Sequence, residues 1–297
     1  MTPLRKRMLE ELQRRNYAQV TIDHYIQIVE DFAKHFGRRP DQLGARQLRE
    51  YQVHLFRDRK LSSRTVRQHV AALRFFFVKM LKRPYMIEHI PFPKETRRLP
   101  EILTPEEVAG LIDAASNLFH RAMLMTLYAT GMRRSELARL KVRDIDSQRM
   151  VIRIRQGKGG RDRDMPLSEK LLETLREYWH WMKPKTYLFP GMVDNWRADV
   201  PLSPKVIWLA CREAATRAGL QKKISPHCLR HSYATHLLDA GVDLYTIQRL
   251  LGHADLRHTL VYLQLSERHL RAAPIPIDAL TLSDPSQVKR SRKLIKK

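Results

Sequence analysis

Apolar residues fall at helical spacing through most of residues 4–83. Val20, Ile22, Tyr25, Ile26, Val29 and Phe32 form one stripe, and Val66, Val70, Leu73, Phe77 and Met80 form another. A period of this kind predicts amphipathic helices, with Ser62 or Ser63 as the N-cap of the second. Pro84, Pro91, Pro93 and Pro100 then break the pattern around Lys94, Arg97 and Arg98. A polar, proline-rich interval between periodic regions marks a linker and places a domain boundary near residue 99.

Helical signals resume at Thr104-Pro105-Glu106-Glu107. A threonine cap, a proline at the first helical position and a glutamate shortly after make a strong helix start. Helices are expected to about residue 130. Val151, Ile152 and Ile154, interleaved with Arg153 and Arg155, predict a short strand, and Gly157, Gly159 and Gly160 its turn. Residues 161–166 are the returning partner. From residue 168 the pattern is helical again, with Ser203-Pro204 and Ser225-Pro226 as further starts. The expected fold is mainly α with a small antiparallel β-sheet. It comprises a helical domain over 1–98, a mixed α/β domain over 99–273 and a basic tail over 274–297.

Charge adds the first functional clue. The 297 residues hold 55 Lys and Arg against 31 Asp and Glu, a formal net charge of +24. The apolar content of 43% describes a globular chain rather than a disordered one. No run approaches the roughly 18 apolar residues of a membrane span, and the basic N-terminus lacks the apolar stretch of a secretory signal. Cys211 and Cys228 have no metal-like spacing, so neither a disulfide framework nor a zinc site is expected. A cytoplasmic protein with a polyanionic partner, nucleic acid above all, fits these features. The first 98 residues carry about half of the charge excess, so both halves are basic, as in a protein gripping a duplex from two sides. A ribosome-associated or merely highly charged protein fits the charge alone. The final SQVKRSRKLIKK reads as a tail for non-specific phosphate contact, or as a solvated end.

Four segments of the second domain hold unusual polar combinations: Thr130-Gly131-Met132-Arg133-Arg134-Ser135-Glu136-Leu137, Gly157-Lys158-Gly159, His227-Cys228-Leu229-Arg230-His231, and Leu251-Gly252-His253 followed by Tyr262. Singly, each has a plain reading: a surface arginine, a soluble turn, a helix-surface pair, a core tyrosine. Gly-Lys-Gly also lacks the longer pattern of a nucleotide phosphate loop.

Together and in this order they resemble the tyrosine recombinase (phage integrase) family, including its Xer-like members. TGMRRSEL is similar to that family's first arginine box, QGKGGRDRDMPL to its lysine hairpin, and the run from SPHCLRHSYATHLL through LLGHADLRHTLVYLQL to its third arginine box and nucleophile segment. The resemblance implies the catalytic set Arg133, Lys158, His227, Arg230, His253 and Tyr262. Tyr262 would be the nucleophile, forming a 3′-phosphotyrosyl link and freeing a 5′-hydroxyl. Lys158 would protonate the leaving oxygen, His227 would assist proton transfer at Tyr262, and His253 would donate to a phosphate oxygen. The family also implies double-stranded DNA as partner and a homotetramer on synapsed sites, with a directionality factor open as a further partner. Arg134 departs from the aliphatic residue the family often has there. The stretch between Pro190 and Ser225 has no room for the extra helix of integron integrases, and the residues after 273 do not match the short ending of Xer proteins.

The residue types suit that chemistry. Phosphate under attack gathers charge on its non-bridging oxygens, and guanidinium groups stay charged and bind phosphate through paired hydrogen bonds. No carboxylate cluster of the two-metal kind accompanies them, so no metal and no cofactor are expected and activity should persist in a chelator. Glu136 is placed to orient Arg133 or its neighbours. Cys228 reads as a small buried residue. In the first domain Arg64, Arg67 and Gln68 share a helix face and are suited to DNA, whether base edges or phosphates. Type IB topoisomerase-like relaxation and a DNA-binding accessory protein of the same fold are the alternatives.

Overall fold

The structure, a computed structural model, describes residues 2–94, 99–155, 162–193 and 196–265. The chain divides into two compact units, Met1–Arg98 and Leu99–Lys297.

The first unit is helical: α1 (Pro3–Arg14), α2 (Gln19–Phe36), α3 (Ala45–Arg57) and α4 (Ser63–Arg74), which runs on through a π-helical segment over Phe75–Met80. Ser62 is the cap of α4, its Oγ accepting the Thr65 N–H at 3.2 Å. Both apolar stripes pack into one core around Ile22, Phe32, Val66 and Phe77. Val20 is the exception at 81% exposed. It lies two residues before Ile22, about 200° around the helix, and so on the opposite face. The proline interval is more folded than its composition suggests. Met86 and Ile90 are buried in the same core, and Arg74 holds the turn by donating Nε to the Ile90 carbonyl at 2.7 Å.

His69 on α4 is buried, and that burial, reinforced by the nearby Arg59 charge, pushes its imidazole down to about 4. The unfolded chain therefore takes up a proton near its ordinary value of 6.5 while the folded unit does not. This contribution to stability is intact above pH 6.5 and lost as the pH falls toward 4, up to about 3 kcal/mol. Urea titrations of the full chain between pH 7 and 4 should show the loss, and His69→Leu should remove that part of it.

The second unit opens with α5 (Pro105–Asp113) and α6 (Leu118–Thr130), followed by the single turn α7 (Arg134–Leu137). The capping box at its start forms: Glu107 Oε2 accepts the Thr104 N–H at 2.9 Å, and Thr104 Oγ1 accepts the Glu107 N–H at 3.2 Å. A three-stranded antiparallel sheet, ordered β1 (Ile145–Asp146), β2 (Val151–Ile154), β3 (Arg163–Pro166), contains the expected pair, with Ile152 opposite Met165 and Ile154 opposite Arg163. Then come α8 (Glu169–Met182), the hairpin β4 (Pro190–Val193) and β5 (Trp196–Pro201), α9 (Pro204–Arg217), α10 (Pro226–Asp239) and α11 (Leu244–Leu251). The β4–β5 hairpin is a second small sheet where only helices were expected after residue 168. Pro190 and Pro201 pair with each other at its open end, and these prolines with Gly191 read along the chain as loop signals rather than strand. Helix α6 lies at the centre, with Met123, Leu124 and Leu127 fully buried. Among the described residues no helix is long and apolar enough to cross a membrane.

Candidate active site

Helix α6 ends where Gly131 takes a φ of 55°, and a Cβ there would run into the Tyr233 ring. Only a residue without a side chain can make this turn without strain. The turn delivers Arg133 to the start of α7. Glu136 accepts both the Arg133 backbone N–H and Nη1, each at 2.8 Å. Arg230, one turn into α10, is only 3% exposed and donates Nη1 to the Gly131 carbonyl and Nη2 to the Leu251 carbonyl, both at 2.7 Å.

These contacts converge on the C-terminal end of α11. Its last carbonyls have no partner within the helix, and its dipole makes that end negative. Three successive carbonyls there each accept an arginine: Leu250 from Arg163 Nε at 2.7 Å, Leu251 from Arg230, and Gly252 from Arg133 Nη2 at 3.2 Å. Gly252 then turns with a φ of 62°, which leads the chain directly into His253.

Tyr262 sits in a short 3₁₀ turn over Leu260–Gln264 and is 1% exposed, packed with Ala234, Leu238, Ile247 and Leu251. Its hydroxyl lies 3.2 Å from His231 Nδ1. Its ring stacks on His253, with 6.4 Å between centroids and 13° between planes. His253 Nδ1 lies 2.9 Å from Thr259 Oγ1. His227 is exposed at the start of α10, its ring 6.3 Å from that of His231. The imidazole set beside the phenol is thus His231, whereas the sequence reading gave that role to His227.

Burial resists ionisation of the Glu136 carboxyl, yet the bonds from Arg163 and then Arg133 hold it at about 2. Burial, with the Arg133 charge beside it, lowers Arg230 to about 10, so it remains a cation at neutral pH. Burial raises the Tyr262 phenol while Arg230 and Arg133 pull it down. It is therefore a neutral acid that needs a base. Burial keeps His231 at about 4 and His253 at about 3, so both rings are neutral at physiological pH.

Arg133, Arg230, His253 and Tyr262 thus gather around one helix end, with His227 at the rim of α10. Lys158 lies outside the described residues. Two partners escaped the sequence reading, although each left a signal. His231 is four residues after His227, hence on the same helix face. Arg163 is two residues before the buried Met165, so strand alternation puts it on the inward face, where a cation requires an anion.

In the first unit Arg64, Arg67 and Gln68 are all exposed on α4. Arg67 and Arg74 both stack on Phe92, at 4.9 and 4.3 Å from its ring centre, and Gln68 Oε1 is 3.3 Å from His24 Nε2. Cys228 is buried, its Sγ donating to the Lys223 carbonyl at 3.3 Å. Among the described residues no group of three or more His, Cys, Asp or Glu is placed to hold a metal ion.

Comparison with known proteins gives the family. Residues 101–269 match the phage integrase family, and residues 4–87 match the N-terminal SAM-like domain of phage integrases. The provisionally named integrase/recombinase y4qK of Sinorhizobium fredii is 45% identical, over 96% of this chain and 92% of its own. Tyrosine recombinase XerA of Pyrococcus furiosus is 38% identical, over 71% of this chain and 73% of its own. The crystal structure of XerA recombinase superposes with a TM-score of 0.53 at 30% identity, covering 90% of this chain and 95% of that one. A lambda integrase tetramer bound to a Holliday junction shares the fold, with a TM-score of 0.70 at 19% identity over 92% of this chain and 79% of that one. The chain belongs to the phage integrase family of tyrosine recombinases and is a site-specific DNA recombinase.

Proposed function

We propose that the recombinase works through a covalent link between Tyr262 and DNA. The Tyr262 oxygen bonds to phosphorus as the bond to the 5′-oxygen breaks. The phenolic proton passes to neutral His231 Nδ1, with His227 one turn away as its outlet, and Lys158 protonates the departing 5′-oxygen. A 3′-phosphotyrosine and a 5′-hydroxyl result. The ester bond is conserved, so a 5′-hydroxyl of another strand can reverse the steps without ATP. Arg133 and Arg230 keep N–H groups beyond those used on backbone carbonyls, and these meet the non-bridging oxygens as charge builds. His253 donates to the same phosphate through Nε2. The observation that carries this reading is the convergence of Arg133, Arg230, His253 and Tyr262 on the end of α11.

The partner is double-stranded DNA, which the first unit would contact through Arg64, Arg67 and Gln68. Arg67 reaches it from its stack on Phe92, a pose that fits a phosphate contact better than a base contact. Two protomers bind each inverted-repeat site and two synapsed sites carry a tetramer, a reading supported by the lambda integrase tetramer bound to a Holliday junction. A directionality factor would act on that assembly, and work on chromosomal or mobile DNA places the protein in the cytoplasm.

The test uses nicked duplexes drawn from DNA flanking the gene, incubated with the full chain in EDTA. The expected result is a protein–DNA band that survives denaturation. Absence of any band on DNA the protein demonstrably binds would favour an accessory role. Relaxed plasmid circles without recombinants, on any sequence, would favour a topoisomerase.

A further inference from the structure

Arg163 makes three side-chain hydrogen bonds in the second unit, and the proposed chemistry gives it no task. It opens β3 opposite Ile154, and its side chain is 9% exposed. Nη1 and Nη2 donate to the two oxygens of Glu136 at 3.1 and 2.7 Å, while Nε donates to the Leu250 carbonyl at 2.7 Å. It also fills the space beside Gly252, where a Cβ would lie 3.0 Å from its Nη1. One guanidinium therefore fixes three elements to one another: β3, α7 and the end of α11.

Glu136 is divided between two arginines. A carboxylate beside one arginine draws it into a paired, fork-on-fork contact. Here Arg163 occupies that contact. Arg133 is left with a single side-chain bond to Glu136, through Nη1, and turns Nη2 to the Gly252 carbonyl. Charge divides the same way. One carboxylate faces two guanidinium groups, so Arg163 neutralises Glu136 and the charge of Arg133 remains uncompensated for an incoming anion.

We propose that Arg163 is a positioning residue for strand cleavage: by holding both oxygens of Glu136 and the end of α11, it keeps the Arg133 fork open toward the scissile phosphate. This rests on the reading above that Arg133 meets that phosphate. Without Arg163, Arg133 closes onto Glu136, and the reaction loses a preorganised cation while the protein keeps its fold and its hold on DNA.

The experiment compares single-turnover cleavage of a nicked duplex carrying either an ordinary phosphodiester or an uncharged methylphosphonate at the cleaved position. The proteins are the full-length chain and its Arg163→Leu, Arg163→Lys, Arg133→Ala and Arg163→Leu/Glu136→Gln variants. Arg163→Leu should slow phosphodiester cleavage about 100-fold, the scale of a misplaced catalytic group, with duplex affinity unchanged. On the methylphosphonate, which lacks the ground-state charge and one of the two non-bridging oxygens, the loss should shrink to severalfold. Adding Glu136→Gln removes the charge that captures Arg133 and should recover about tenfold on the phosphodiester. Arg163→Lys, with charge but no fork, should fall between wild type and Arg163→Leu. Equal losses on both substrates, or no recovery in the double variant, would make Arg163 a structural residue only and overturn the proposal. If Arg133→Ala itself lost the same factor on both substrates, the underlying assignment of Arg133 to the phosphate would fail instead.

Discussion

Arg230→Ala should slow strand cleavage by about 1000-fold or more, the upper range for loss of a preorganised charge donor. It should also destabilise the second unit. Arg230 is buried, and its two carbonyl contacts hold the turn after α6 against the end of α11. Alanine leaves the Gly131 and Leu251 carbonyls unpaired, at about 1–3 kcal/mol each. Arg230→Lys restores the charge but not the fork, and one ammonium cannot serve both carbonyls and a phosphate. Its cleavage should stay at least about 100-fold below wild type. Single-turnover rates on a nicked duplex, measured beside urea denaturation, separate the two effects. A cleavage rate for Arg230→Ala within tenfold of wild type would remove Arg230 from the active set.

Glu136→Ala should be the most destabilising of the site substitutions. Its side chain is 4% exposed and pairs with both Arg133 and Arg163. Breaking such a pair by removing one partner costs about 3–5 kcal/mol, because the remaining charges stay buried without compensation. The pH dependence follows from the carboxyl held at about 2 against an ordinary 4.5. Its contribution is complete above pH 4.5 and disappears as the pH falls toward 2, because only the unfolded chain takes up the proton in that window. Urea midpoints of wild type should therefore fall across that range. Glu136→Gln should start lower at pH 7 and vary less with acid. Equal acid sensitivity in the two proteins would show that another group governs that window.

Local signals in the chain were legible because local physics sets them. The Thr104–Glu107 capping box, the Ser62 cap and the stripe through Ile22 and Phe32 each concern residues within a few positions of one another. Strand β2 and its partner also followed from short-range alternation. Strands β1 and β4–β5 did not: β1 has only two residues, and Pro190 and Pro201 with Gly191 read as loop signals. The proposed active set was read from an order of residue types, and its resemblance to a family supplied the proposed roles. What the sequence hid is the meeting point. The end of α11 accepts arginines from residues 133, 163 and 230, which lie on separate elements. His231 and Arg163 matter through contacts with Tyr262 and Glu136 that only the folded chain brings about.

The proposed nucleophile toward DNA is Tyr262, held beside His231 at the end of α11. The most direct test of that role is to trap the covalent complex on a nicked duplex, digest it with nuclease and trypsin, and sequence the nucleotide-bearing peptide by mass spectrometry. Cuts after Arg257 and Arg268 release a peptide whose only tyrosine is Tyr262. The expected result is the nucleotide on that residue and no adduct from Tyr262→Phe. A nucleotide on any other residue, or an adduct that survives Tyr262→Phe, would contradict it.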